Sequence, residues 1–309
     1  RARNLLTNEE LTVMALLGAL ECIRAGNTTT LEIGQAIADY AEELVQTGLR
    51  WVFAESASDA IAPPEWRPGE DVFEFSPVLR NQAIECMNDL FAKWHGARDN
   101  FVTCFAAAGL VESSSPELLR AVRELAERHG VGYTIHLGQS RLEVESIHRI
   151  KGVRPSFYLY ASGFLGPQLI AAHCRYVDSS EIALLGNART IVTHQPAMAG
   201  NRGVIPPIPA LRAAGCLIAM GTDNNTQDMV DGMRIALLTE RILRDDSTRP
   251  QPEDVLREAT VSGARALGMD QSIGSLEVGK SADLFVINTQ KAHLVPTTRI
   301  VSGFIHNGQ

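Results

Sequence analysis

Leu169-Ile170-Ala171-Ala172-His173 reads as a short strand, apolar along its length, that stops on an imidazole. Tyr133-Thr134-Ile135-His136 and Leu217-Ile218-Ala219-Met220-Gly221-Thr222-Asp223 repeat the pattern, one ending on a second imidazole and the other on a carboxylate. A strand covered on both faces is a continuous apolar run, and α/β barrels carry their reactive side chains at the carboxyl ends of such strands. Two histidines and an aspartate placed there can converge on one divalent metal. A hydrolytic enzyme is the first expectation.

The surrounding sequence alternates in the way a barrel requires. Thr7 with Glu10 predicts a capping box that opens a helix over 8–25, stopped by Gly26. Strands are expected at 28–33, 51–55, 101–107 and 190–194, in addition to those ending at His136, His173 and Asp223. Helices at 36–47, 78–95, 116–129 and 142–151, a short one opened by Ser179 and Ser180, and one ended by Gly215 lie between them. Such βα alternation implies a parallel sheet with right-handed crossovers. The stretch 56–77, with Pro63, Pro64, Pro68 and Pro77, is a long loop of the kind that usually has a function. After Asp223 the pattern changes: helices at 228–245 and 252–267, short strands at 273–280 and 282–288, and a last strand with an Asn-Gly turn over 301–309.

Composition narrows the class. In 309 residues, 45% hydrophobic and 21% charged content suit a globular protein with a sizeable core. The net charge of -8, without a Lys/Arg run, argues against a nucleic-acid or anionic-membrane partner. Cys22, Cys86, Cys104, Cys174 and Cys216 form no CxxC pair and read as free thiols of a reducing, cytoplasmic compartment. No apolar run reaches the length of about 18 residues that a membrane span needs. The chain opens on Arg1, and both ends read as cut.

Ala25-Gly26-Asn27-Thr28-Thr29-Thr30, the His136 strand, Ala172-His173-Cys174, Thr193-His194-Gln195-Pro196, Gly221-Thr222-Asp223 and the tail from Ile273 to Leu284 occur in an order that resembles the metal-dependent amidohydrolase superfamily, in its cytosine/guanine deaminase and triazine (chloro)hydrolase branch. The resemblance implies a (β/α)8 TIM barrel that lacks its first strand in this N-terminally truncated chain. Residues 1–267 would carry strands two to eight, and 268–309 part of a small C-terminal β-sandwich. It implies that His136 and Asp223 ligate one divalent metal ion, zinc first and iron as the alternative, and that His173 faces the attacking water and substrate. His194 and Arg202 are expected near the substrate. The superfamily's His-x-His ligand pair is absent from the sequence and is expected upstream of Arg1.

Gln139 is a departure. Family deaminases place a proton-shuttling glutamate three residues after the strand-five histidine, whereas an amide donates and accepts hydrogen bonds without titrating. The catalytic set implied is His173, Asp223 and Gln139, with Gln139 also a substrate contact. The activity implied is deamination of an amino-substituted heterocycle (pyrimidine, purine, pterin or triazine) by metal-bound hydroxide. Chloride leaves without protonation, so Gln139 keeps a triazine dehalogenase open, and a non-catalytic relative or inactive fragment is the third reading. The chain by itself is expected to be inactive and the full-length protein a homo-oligomer.

Plainer readings stand beside these: buried, hydrogen-bonded imidazoles for His136 and His173, and a turn residue for Asp223. Glu32 and Glu55 either reach the pocket or cap neighbouring helices. Cys174 is set aside as a nucleophile because adjacent strand residues face opposite ways.

Overall fold

The computed structural model describes residues 6–63, 65–296 and 298–308; Pro64 of the proline-rich loop and both chain termini lie outside them. Its centre is a curled parallel sheet of β1 (Thr29–Gly34), β2 (Arg50–Ala57), β3 (Val102–Cys104), β4 (Ala106–Leu110), β5 (Tyr133–Leu137), β6 (Leu169–His173), β7 (Ile191–His194) and β8 (Leu217–Met220). The spatial order is β1-β2-β4-β5-β6-β7-β8, with β3 also against β2. The expected strand at 101–107 is thus two short strands at one position, both paired to β2. Helices cover the outside, so the fold is an α/β barrel, and among the described residues β1 and β8 are its unpaired edges.

Alternation along each strand sorts the core into two layers. Val52, Ala54, Phe105, Ala107, Ile170, Ile191 and Ala219 fill the barrel interior. Trp51, Phe53, Tyr133, Ile135, Leu169, Ala171, Val192 and Ile218 pack outward against the helices. Each fully buried side chain of this size is worth about 1.5–3 kcal/mol relative to exposure, so the pattern sets strand register strongly. The helices start where the sequence places caps: Thr7 with Glu10 forms the capping box of Asn8–Arg24, and Ser115 caps Pro116–His129.

The C-terminal region differs from expectation. Among the described residues, 273–280 and 282–288 have no ladder partner, and the expected strand near 301 is the helix Ile300–Asn307. An extended segment with no neighbouring strand leaves its backbone groups unpaired, whereas a helix satisfies them locally. Phe304 and Ile305 bury against Met220, Val230, Met233, Leu237 and Val255. Arg234 closes the helix end by donating to the carbonyls of Ile305, His306 and Gly308 at 3.2, 3.0 and 2.6 Å. The segment 282–288 is pinned instead by Asp283, which accepts from Arg50 Nε at 2.8 Å.

Candidate active site

The carboxyl ends of β5, β6 and β8 bring His136, His173 and Asp223 together. The His136 and His173 rings lie 5.3 Å apart, centroid to centroid, and His173 Nε2 is 3.9 Å from Asp223 Oδ2. Ladder register explains part of this, since Leu137 pairs with His173 across β5 and β6. The rest is backbone conformation. Counted from Ile170 in the interior, His173 belongs with Ala171 on the helix side. Positive φ values of 78° at His173 and 48° at Cys174 end the strand and break that alternation. Asp223 is also left-handed, at φ 61°. Non-glycine residues in that region cost on the order of 1–3 kcal/mol each and cluster at working sites.

Each ring has a defined environment. His136 Nδ1 lies 2.7 Å from the carbonyl oxygen of Gly109 on β4. A carbonyl only accepts, so Nδ1 carries the hydrogen and Nε2 is left with its lone pair. Burial lowers the His136 pKa, against the raising effect of that hydrogen bond and of Asp223. His173 is 5% exposed; burial, then the neighbouring His136 and Arg175, push it down to about 3. The Asp223 carboxylate accepts from the Asn224 N–H at 2.6 Å and is partly open to solvent.

Other expected residues fall around this centre. Gln139 follows in the turn after β5, its backbone N–H held by Glu143 Oε2 at 2.8 Å; its side-chain amide has no hydrogen-bond partner among the described residues. His194 turns away from the pair: its Nε2 is 3.4 Å from Glu258 Oε2, beside the Arg212 guanidinium that holds Glu258 Oε1 at 2.5 Å. Arg202 is exposed in the segment after the helix Pro196–Asn201, and its charge adds to burial, the larger cause, in lowering the Arg175 pKa. Glu55 and Glu32 face outward. Glu55 accepts from the N–H groups of Ala36 and Ile37 at 2.6 and 3.0 Å, and Glu32 from Tyr40 Oη at 3.2 Å. Cys174 is fully buried in the outer core and its thiol pKa is raised by burial, which keeps it protonated and out of the chemistry.

Sequence reading missed several members. Gln195 neighbours His173, and its Oε1 is sealed from solvent without a partner. Glu258 opens a π-helical turn, Glu258–Ser262, inside a stretch read as one continuous helix; such turns recur at functional sites. Glu112 and Glu143 are buried carboxyl groups behind the β5 turn. A glutamate four places after Gln139, in an amphipathic helix, carries no signal that distinguishes it from a solvated one.

The profile of the amidohydrolase family matches residues 2–308, and the chain belongs to that family. It is 31% identical over 306 residues to a 5'-deoxyadenosine deaminase of Methanobrevibacter smithii, covering 97% of this chain and 67% of that protein. It is 33% identical over 297 residues to a 5-methylthioadenosine/S-adenosylhomocysteine deaminase of Syntrophobacter fumaroxidans, covering 94% of this chain and 64% of that one. An adenosine deaminase from Xanthomonas campestris, solved with bound zinc, superposes with a TM-score of 0.85 at 25% identity over 98% of this chain and 67% of that chain. The guanine deaminase of E. coli shares the fold, with a TM-score of 0.79 at 19% identity over 98% of this chain and 73% of that one. The chain thus spans about two thirds of the length of the curated relatives it matches.

No helix among the described residues is long and apolar enough to cross a membrane. Nor, among those residues, is any group of three or more His, Cys, Asp or Glu side chains arranged to hold a metal ion. His136 and Asp223 are a partial donor set. Their chemistry nevertheless fits one: an imidazole whose far nitrogen is tied to a carbonyl and whose near nitrogen is free, beside a carboxylate, suits divalent zinc or iron.

Proposed function

We propose that this chain forms the greater part of a metal-dependent deaminase acting on an amino-substituted heterocycle, adenosine-type nucleosides first among them. The observation that carries the reading is the convergence of His136, His173 and Asp223 at the ends of β5, β6 and β8, with the two rings 5.3 Å apart and His173 3.9 Å from Asp223. The names of the relatives support the substrate class. A divalent ion, zinc before iron, would be held by His136 Nε2 and Asp223 and would lower the pKa of a water from ~16 towards ~7.

The remaining work belongs to the side chains. Asp223 has one oxygen for a ligand and one for a proton. His173, packed between His136 and Asp223, is placed to accept a proton from the attacking water and to orient the ring carbon it attacks. Gln139 can hydrogen-bond a ring nitrogen but cannot pass a proton to departing ammonia, so proton delivery falls to Asp223 and His173. The protein in its natural length, loaded with zinc or iron and given 5'-deoxyadenosine, 5'-methylthioadenosine, guanine and aminotriazines, should release ammonia from at least one. No ammonia from any of them, with metal bound in stoichiometric amount, would remove the deaminase reading.

A second reading rests on the Gln139 amide. A substrate whose leaving group departs as an anion needs no proton at that step, and a chlorohydrolase of zinc-bound form is among the solved relatives in fold, with a TM-score of 0.80 at 21% identity over 94% of this chain and 68% of that one. Chloride release from a chlorotriazine, without ammonia from the panel above, would favour it. In either case the partner we infer is a small heterocycle, in a cytoplasmic homo-oligomer.

A further inference from the structure

Behind the site, two acidic side chains are buried together with no cation paired to either among the described residues. Glu143, fully buried, accepts from the N–H of Gly138 at 2.7 Å with one oxygen and from the N–H of Gln139 at 2.8 Å with the other. It therefore holds the turn that follows His136. Glu112, 3% exposed, lies in the segment after β4. Its Oε1 accepts from the N–H of Gly69 at 2.6 Å, and its Oε2 is sealed from solvent without a partner.

Gly69 brings the two together. It belongs to the proline-rich loop, sits at φ 92°, and a Cβ there would lie 2.7 Å from Leu142 Cβ, 3.0 Å from Ser140 Oγ and 3.1 Å from the Glu143 nitrogen. Only glycine lets the loop press this closely on the first turn of helix Arg141–Lys151. The loop is tied to the same helix by the Asp71–Arg149 ion pair. Two adjacent carboxyl groups in a dry site cannot both ionise without a counter-charge. A single proton shared between them gives Glu112 Oε2 its missing hydrogen bond.

We propose that Glu112 and Glu143 share one proton and act as a clamp, joining the Gly69 loop to the Gly138–Gln139 turn and so positioning Gln139 and His136. The clamp stands on its own geometry; its consequence for turnover rests on the functional reading above. The charged and titratable neighbours are few. Arg175 and the Cys174 thiol face Glu143 from the end of β6, Asp71 with Arg149 borders the loop, and on the Glu112 side Asp59 is occupied by Ser115 and Arg80 while Tyr158 donates to Ser114. None is an ion-pair partner of the two. Loss of the shared proton puts two charges in one site and drives Glu112, and the loop with it, away from the turn. Glu143 is pushed up to about 8 by burial first and by Glu112 second, so release is expected at mildly alkaline pH.

The test is amide hydrogen exchange, corrected for intrinsic rates, on the protein in its natural length at ~pH 7 and ~pH 10. Protection of Gly69, Gly138 and Gln139 should fall at least about tenfold across that range while protection of the barrel strands holds. In Glu112→Gln the amide donates to Glu143 permanently, so protection should persist at both values. Glu143→Gln replaces one of two acceptors by a donor and should expose the turn at both. If the enzyme turns over a heterocycle, the alkaline limb of its kcat profile should move up by about one unit in Glu112→Gln. The proposal fails if wild-type protection does not change with pH, or if Glu112→Gln loses it at ~pH 7. Exchange reports on the clamp even when no substrate is found.

Discussion

His136 Nδ1 donates to the Gly109 carbonyl across the β4–β5 ladder at 2.7 Å, and that single contact decides which ring nitrogen faces the barrel mouth. An asparagine at 136 keeps a donor near that carbonyl and has nothing where Nε2 was. His136→Asn is expected to fold with little change in melting temperature and to lose metal affinity about tenfold or more. Metal content after dialysis, measured beside a thermal melt, separates ligand loss from collapse.

Gln139 is the position at which a titrating group changes the chemistry most. General acid–base help is worth about 10²–10⁴-fold, so Gln139→Glu should raise ammonia release markedly if proton transfer to the leaving group limits the reaction. Steady-state kcat and KM on the best substrate decide it. A rise in KM with no gain in kcat would mean that the amide binds the ring instead.

Stability should carry the signature of the buried carboxyl pair. Glu143 rises from 4.5 to about 8 in the fold, so between those values the native state holds a proton that the unfolded chain has released. Unfolding free energy therefore falls as pH rises through that window, by up to about 1.4 kcal/mol per unit. Urea midpoints across the window should show that slope in wild type and a shallower one in Glu112→Gln.

Arg212 donates to Glu240 through its two terminal guanidinium nitrogens at 2.7 and 3.0 Å, and one of them, Nη2, also donates to Glu258 at 2.5 Å. Glu258→Gln leaves the Glu240 contact intact and takes the charge from beside His194. A loss of about 1–2 kcal/mol is expected, read from urea unfolding, and a variant as stable as wild type would show that the π-helical turn holds itself.

Gly186 illustrates a packing limit. A Cβ there would sit 2.2 Å from the Ala214 carbonyl oxygen, where helices Ser179–Asn187 and Ile208–Ala214 cross. Gly186→Ala must push them apart, at about 1–3 kcal/mol. Calorimetry should show a lower melting temperature with no change in metal content.

Much of this was legible because it is local or periodic. The capping box at Thr7 and Glu10, the helix 116–129 and the strands ending at His136 and His173 each rest on residues a few places apart. The helix Pro196–Asn201 and the π-helical turn at Glu258 were not legible: the first is too short to show a period, and the second differs from an α-helix only in hydrogen-bond spacing. Ile300–Asn307 misled for another reason. Its run of Ile300, Val301, Phe304 and Ile305 is as good a strand as a helix, and the apolar groove under Met233 and Leu237 decided between them.

The amino-acid sequence by itself determined the alternation of strands and helices and the presence of His136, His173 and Asp223 at strand ends, because side-chain period and apolar content act over a few residues. Only the tertiary structure decided which of those ends meet and which way each side chain turns. Left-handed backbone at His173 overrides strand alternation and brings its ring to His136, while His194, two residues past Val192 on the helix side, is drawn to Glu258 instead. Those outcomes depend on contacts between residues tens of positions apart, where the neighbour that compensates backbone strain or a buried charge is supplied by another element of the fold.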